Sequence, residues 1–194
     1  MIAGAGASLE RLAELLGALL ATTANANELF ASNAWSLGIS GGFASPGAAE
    51  LIAEADVVLG VGAALNMWTM RHCRLVSPTA TVIQIDHEAD AIGAHHRADI
   101  AVVGDAAEAA RALVAEFERA GTPRPSGWRT TEVAARIAAG TWRAAAYDDA
   151  STASTIDPRT LSPVLDEILP AERTVAIDFG HFMGYPAMYM RVPD

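Results

Sequence analysis

Asp56-Val57-Val58-Leu59-Gly60-Val61 is a continuous apolar run opened by one acid and followed by Gly62. Two further runs repeat the pattern, Thr81-Val82-Ile83-Gln84-Ile85-Asp86 and Ile100-Ala101-Val102-Val103. Such runs, spaced by helical segments, mark a parallel sheet buried on both faces. The expected fold class is α/β: a Rossmann-like parallel sheet with helices on both faces, of the NAD/FAD-binding type.

Toward the N-terminus, Met1-Ile2-Ala3 reads as a stub of strand running into Gly4-Ala5-Gly6-Ala7. Ser8 is placed to cap a helix, with Glu10 favouring its positive end. Leu9, Leu12, Leu15, Leu16 and Leu19 then keep helical spacing. Residues 19–23 read as a short strand. Ser45-Pro46 marks the next helix start, because proline suits the first helical position, and that helix should reach about Ala55.

Toward the C-terminus, Asp105 and Glu108 have the spacing of a capping box. The helix they open should carry Ala109, Leu113 and Phe117 inward. Residues 121–127, with Pro123 and Pro125, read as a loop. A helix is expected over 128–147, with Val133, Ile137 and Trp142 on its apolar side and Gly140 as a weak point. The small polar stretch that follows reads as a linker. Asp157-Pro158 caps a new helix, and Thr174-Val175-Ala176-Ile177-Asp178 reads as a new strand. The expected organisation is a central Rossmann-like domain over 1–147, a linker over 148–156, and an incomplete second α/β domain over 157–194.

Composition narrows the function classes. Hydrophobic residues make up 52% and charged residues 19%, which excludes a disordered chain. The net charge of −10, with 13 scattered basic residues, argues against nucleic acid, whose binding needs clustered cations. The single cysteine, Cys73, excludes an internal disulfide and favours a reducing compartment. No signal peptide and no long uncharged apolar run is visible, so a cytoplasmic location and no membrane partner are expected.

Candidate chemistry sits where strands end. Gly4-Ala5-Gly6-Ala7-Ser8 puts a glycine turn before a helix N-terminus, where free N–H groups suit an anion. Leu9 replaces the third glycine of a dinucleotide fingerprint. The second strand ends in Thr22-Thr23 rather than in the acid that holds a ribose. Gly62-Ala63, Asp86 and Gly104-Asp105 each follow a buried strand, and these loops should gather on one edge of the sheet. Each is also explained as a turn or a cap. Asp178-Phe179-Gly180-His181 offers a similar turn. His95-His96 diverge as neighbours, and no His-Glu-x-x-His, Cys-x-x-Cys, Gly-x-Ser-x-Gly or Walker pattern occurs. No metal site and no catalytic acid–base pair is expected.

The order of segments carries a resemblance. Gly4-Ala5-Gly6-Ala7, Leu20-Ala21-Thr22-Thr23 and Ser36-Leu37-Gly38-Ile39-Ser40-Gly41 are followed by residues 53–63, Val82-Ile83-Gln84-Ile85-Asp86 and Val103-Gly104-Asp105-Ala106. This series resembles the central domain of thiamine-diphosphate-dependent enzymes of the acetolactate synthase type. Residues 173–181 resemble the start of that family's diphosphate-binding domain. The resemblance implies a parent enzyme that uses thiamine diphosphate and Mg2+ on 2-keto acids, by attack of a thiazolium ylid, loss of CO2, and transfer or release of the aldehyde unit. It also implies a homo-oligomer. The activating glutamate and the Gly-Asp-Gly segment of the family are absent from these residues, so the chain alone is expected to be inactive and to serve as scaffold.

If the family's FAD or ADP-containing ligand is carried over, the matching positions are Gly4, Ala5, Gly6, Thr22, Thr23, Leu37, Gly38, Ile39, Ser40, Gly62, Ala63, Asp86, Gly104 and Asp105. Gly180 and His181 match positions beside the cofactor diphosphate. Four positions depart from the pattern. Ala64 stands for an arginine, Asn66 for an aspartate, Ser40 for a histidine and His181 for a glutamine. Asn66-Met67-Trp68-Thr69-Met70-Arg71-His72 reads as an inter-domain surface, and Phe182, Met183, Tyr185, Met188 and Tyr189 as an exposed apolar surface through which copies would pair. The alternative to the enzyme part is a stand-alone module that binds FAD, ADP or coenzyme A.

Overall fold

Parallel pairing organises the chain, and each pairing follows from the apolar runs. The computed structural model describes residues 4–121, 127–178 and 180–191, and only the backbone of His181. In order they form α1 (Gly6–Leu16), β1 (Leu20–Thr22), β2 (Ser36–Ile39), α2 (Pro46–Ala53), β3 (Val57–Val61), β4 (Thr81–Asp86) and β5 (Ile100–Val103). Then come α3 (Ala106–Ala120), α4 (Thr131–Ala139), α5 (Pro158–Ile168) and α6 (Gly184–Tyr189). The strands make two parallel sheets, β1-β2 and β3-β4-β5. The expectations for residues 1–3, Pro123, Pro125 and Phe179 lie outside the described residues.

The three-stranded sheet has unbroken register, Val57 opposite Thr81 through Val61 opposite Ile85, and Ile83 opposite Ile100 through Asp86 opposite Val103. Its centre is β4, where Val82 and Ile85 are fully covered. Covering a side chain of this size contributes about 2 kcal/mol. Val82 packs with Leu65, Met70, Val76 and Ala80, so the long β3–β4 connection folds back as one wall of the core. Gln84, also buried, donates to the Ala63 carbonyl and accepts from the Gly93 amide, which satisfies it inside that wall.

β5 departs from the expectation of burial on both faces. Ile100, Val102 and Val103 are 49%, 39% and 62% exposed, because β5 is the sheet edge and only β4 flanks it. The β1-β2 sheet is shorter, and its register slips between Leu20 and Thr22.

The caps were mostly legible. Ser45 accepts from the Ala48 amide at the start of α2 and Asp157 from Arg159 at α5, whereas Thr130, expected inside a helix, is itself the cap of α4 and accepts from Val133. Asp105 accepts from the amides of Ala107 and Glu108. Glu108 does not return the bond but pairs outward with Arg111, so the capping box is half made. The residues buried under α3 are Ala107 and Ala110, while Ala109, Leu113 and Phe117 are half-buried. α1 begins two residues before Ser8, at Gly6, and its N-cap Ala5 has no side chain to offer. Ser8 is therefore inside the helix and caps nothing.

Two expected elements are different in the structure. The helix over 128–147 is confined to Thr131–Ala139. It stops at Gly140 because that residue abuts the start of α2: a Cβ on Gly140 would lie 2.6 Å from the Gly47 α carbon, and the Gly47 amide donates to the Gly140 carbonyl. Residues 174–178 form no strand. They lack an adjacent edge to complete a ladder, and a strand without a partner has nothing to hold it.

Candidate functional site

Within each sheet the strands are parallel, so their carboxyl ends share a rim. At β1 and β2 the Ser40 amide donates to the Thr22 carbonyl at 2.8 Å. Across the larger sheet, the Gly62 amide donates to Ile85 at 2.8 Å and the Gly104 amide to Asp86 at 2.9 Å. Two bonds join these rims. The Ser40 hydroxyl donates to the Thr69 carbonyl at 2.9 Å, and the Gly42 amide to the Trp68 carbonyl at 2.8 Å. The loops after β2, β3, β4 and β5 therefore form one continuous edge.

Gly41 is the tightest point of that edge. Its φ is +90°, and a Cβ there would sit 1.9 Å from the Trp68 carbonyl oxygen. Glycine is required both by the left-handed backbone and by the close approach. The loop it meets is braced from within. The Asn66 carboxamide oxygen accepts from the amides of Trp68 and Thr69, and the Thr69 hydroxyl donates to the Ala64 carbonyl at 2.5 Å. The sequence placed Gly41 at the end of a quoted segment without assigning it a role. The signal was there in the Gly41-Gly42 pair, but its partner, the Trp68 carbonyl, is distant in the chain.

Of the remaining candidate positions, Gly62, Asp86 and Gly104 lie on that edge through the bonds just given, and the others have more local surroundings. Gly6 faces the loop after β1, with room for a Cβ only 3.2 Å from Leu29. Ala5 is buried, and the first turn of α1 has no side-chain cap. Thr22 is buried and its hydroxyl reaches the Gly38 carbonyl only at 3.5 Å. Thr23 precedes a short 3-10 turn without capping it. Gly38 and Gly62 both have positive φ, at +71° and +59°. The Asp86 carboxylate accepts from the Glu88 amide at 3.1 Å and lies 3.2 Å from His87. Asp105 is committed to the start of α3. Both acids thus do local work. Ala63 and Ala64 add no charged donor to the edge.

A second group of residues approaches the β2 end of this edge from the C-terminal part of the chain. Gly180, at φ +115°, leads into a 3-10 turn over His181–Met183 and then into α6. α6 lies on the turn Gly41–Phe43: a Cβ on Gly184 would be 2.9 Å from the Phe43 ring. Asn27 donates to the Ala187 carbonyl at 3.3 Å, and Trp142 donates to the Phe43 carbonyl at 2.8 Å. The apolar tail is consequently turned inward, contrary to the expectation of a free pairing surface. Tyr189 and Met190 are buried, Met183, Tyr185 and Met188 are half-buried, and Phe182 remains exposed.

Behind α6 lies a buried carboxylate that sequence reading missed. The Asp166 side chain has no solvent exposure and pairs with Arg143, Arg173 and Arg191. The Arg191 amide also donates to it at 2.9 Å. Burial works to raise the Asp166 carboxyl. The donors of Arg191, with the charges of Arg143 and Arg191, outweigh burial and hold it below the usual carboxylate range. Nothing in the helical pattern of α5 announces this, because the three arginines come from outside that helix.

The arrangement defines an α/β domain of parallel strands flanked by helices, with its turns on the carboxyl rim of the strands. Residues 1–113 match the family model for the thiamine pyrophosphate enzyme, central domain, and the chain belongs to that family. It is also similar to the probable acetolactate synthase large subunit of Methanocaldococcus jannaschii, 33% identical over 116 residues. That match covers 59% of this chain and 20% of the relative, so the chain spans about a fifth of that relative's length in alignment.

The donor set does not fit magnesium-bound thiamine diphosphate by itself. Among the described residues no three His, Cys, Asp or Glu side chains gather to hold a metal. Asp178 is exposed and lies outside any strand. No helix among the described residues is long and apolar enough to cross a membrane.

Proposed function

We propose that these residues supply the central scaffold of a thiamine-diphosphate-dependent lyase or synthase acting on 2-keto acids, similar to acetolactate synthase, and that the carboxyl rim is a nucleotide-facing edge. The observation that carries this reading is the junction of the two rims through Gly41, Gly42 and the Trp68–Thr69 backbone. It makes one edge from turns that are far apart in sequence, at the place where open parallel sheets receive ligands. The family membership and the acetolactate synthase similarity support the enzyme class.

In this reading the domain runs over 1–147 and the linker over 148–156, while residues 157–194 begin the diphosphate-binding part. Magnesium, the thiazolium ring and the keto acid are handled by residues other than those described here, within a homo-oligomer. The part played by this chain is positional. The α1 N-terminus, with its uncapped first turn, presents N–H groups to an anion, while the rim amides of Ser40, Gly62 and Gly104 hold the turns in place. An FAD or ADP-containing ligand would meet Gly4, Ala5 and Gly6, the C-terminal part of β2 with Ser40, and Gly62-Ala63.

Two measurements test this. Titration of the purified chain with FAD, ADP and coenzyme A should show saturable binding of an ADP-containing compound. Loss of that binding in Gly62→Val would place it on the rim. An assay of CO2 release from a 2-keto acid, with thiamine diphosphate and Mg2+ added, should show none. Turnover by the 194-residue chain alone would overturn the scaffold reading.

A further inference from the structure

We propose that residues 184–191 form an intramolecular strap that closes the β2 end of the rim against ligands, and that Asp166 is the latch that holds the strap down. The strap and β2 face each other across a half-open cleft of about 240 Å3, walled on one side by Leu37, Gly38 and Ile39 and on the other by residues 187–191. Ligand sites are ordinarily about 300–1,000 Å3. The cleft is therefore narrower than a nucleotide site, and such a ligand packs fully against Leu37–Ile39 only if the strap lifts.

The latch grips the C-terminal end of the covering segment, at Tyr189 and Arg191. Asp166 accepts from the Arg191 amide at 2.9 Å, and its other oxygen from the Arg191 guanidinium at 3.1 Å. Arg143 bridges Asp166 to the Tyr189 carbonyl, which it reaches at 2.6 Å. Arg173 bridges Asp166 to the Arg191 carbonyl, which it reaches at 2.7 Å. One carboxylate, directly or through its arginines, thus fixes three backbone groups of Tyr189 and Arg191, at and just beyond the end of α6. A short helix of six residues has little stability of its own. Its position depends on these bonds and on the contact of Gly184 with Phe43.

The gating part of this inference rests on the nucleotide reading given above, whereas the strap does not. Hydrogen exchange on the full chain should show the Arg191 amide protected. In Asp166→Asn, exchange over 186–191 should quicken at least tenfold while amides of residues 82–86 keep their protection. Hydroxyl-radical modification of Leu37 should rise in the same variant. Gly184→Leu separates the latch from general stability, because it pushes α6 off Phe43 without touching Asp166. It should open Leu37 equally, and it decides the matter if Asp166→Asn loses the fold.

ADP titration then distinguishes the two readings. ADP binding at least tenfold tighter in both variants supports the gate. Opened Leu37 without ADP binding in any form upholds the strap and sinks the nucleotide reading. An unprotected Arg191 amide in the native chain overturns the strap. Unchanged Leu37 modification in Gly184→Leu does so too, and equal, measurable ADP affinity in all three forms overturns the gate.

Discussion

The β3-β4-β5 sheet and the segment from α5 to α6 are held by different physics. The sheet is a ladder of local apolar runs in register, with its covered side chains concentrated in β4. The C-terminal segment has short helices, exposed apolar residues such as Ile168 and Val164, and one buried carboxylate that gathers three arginines. Spread apolar burial loses stability in small steps when trimmed. A concentrated ion cluster fails when a single partner is removed, because the remaining charges lose their compensation.

The sharpest way to break this contrast is Asp166→Ala. Arg143 and Arg191 keep contact with water, so the cost should be near the low end for a broken buried pair, about 3 kcal/mol by denaturant unfolding. The pH dependence carries the same signature. The folded Asp166 carboxyl is depressed, so its contribution is complete above the ordinary carboxyl value of about 3.9 and is lost as pH falls through the folded value. Asp166→Asn should remove that part of the acid-side loss. An unchanged acid limb would show that Asp166 is not a latch.

The next largest effect belongs to the rim. Gly41→Ala forces a Cβ against the Trp68 carbonyl at a left-handed backbone position, and should cost about 2 kcal/mol. Thermal unfolding measures it, and a neutral result would mean that the two rims are not joined there. Ile85→Val in the middle of the sheet should cost about 1 kcal/mol, as a methylene lost from a covered site. Val102→Thr on the exposed edge should change stability by less than about 0.5 kcal/mol, since β5 leaves that side chain partly in water. Equal costs for Ile85→Val and Val102→Thr would erase the distinction between the covered centre and the open edge.

Much of the first region was legible because its information is local. The runs at 57–61, 81–86 and 100–103 form strands at or within one residue of the boundaries read from their apolar character. Ser45, Asp105 and Asp157 cap the helices they precede, since a short acceptor side chain before a helix satisfies amides two or three residues away. The failures were of another kind. The strand expected at 174–178 has good composition but no edge to pair with. The helix expected to reach 147 stops at Gly140, where the backbone of Gly47 occupies the adjacent space. The tail from Phe182 to Tyr189 looked like free apolar surface, yet Gly184 packs on Phe43 and Tyr189 lies against Trp142.

The candidate rim divides in the same way. Its glycines and strand-end acids could be picked out one by one, and the order of segments pointed to the family. Their union could not be read, because it depends on the carbonyls of Trp68 and Thr69, and a backbone carbonyl has no letter in the sequence. Asp166 was equally hidden among the charges of α5.

The sequence by itself determined the parallel α/β class, the strands of the larger sheet and most helix starts, since each depends on residues within a few positions of one another. The tertiary structure alone decided which turns share an edge, where α4 ends, and that the C-terminal segment folds back onto β2. Those outcomes depend on contacts between residues 20 to 160 positions apart, such as Asn27 with Ala187, and local preference carries no record of them.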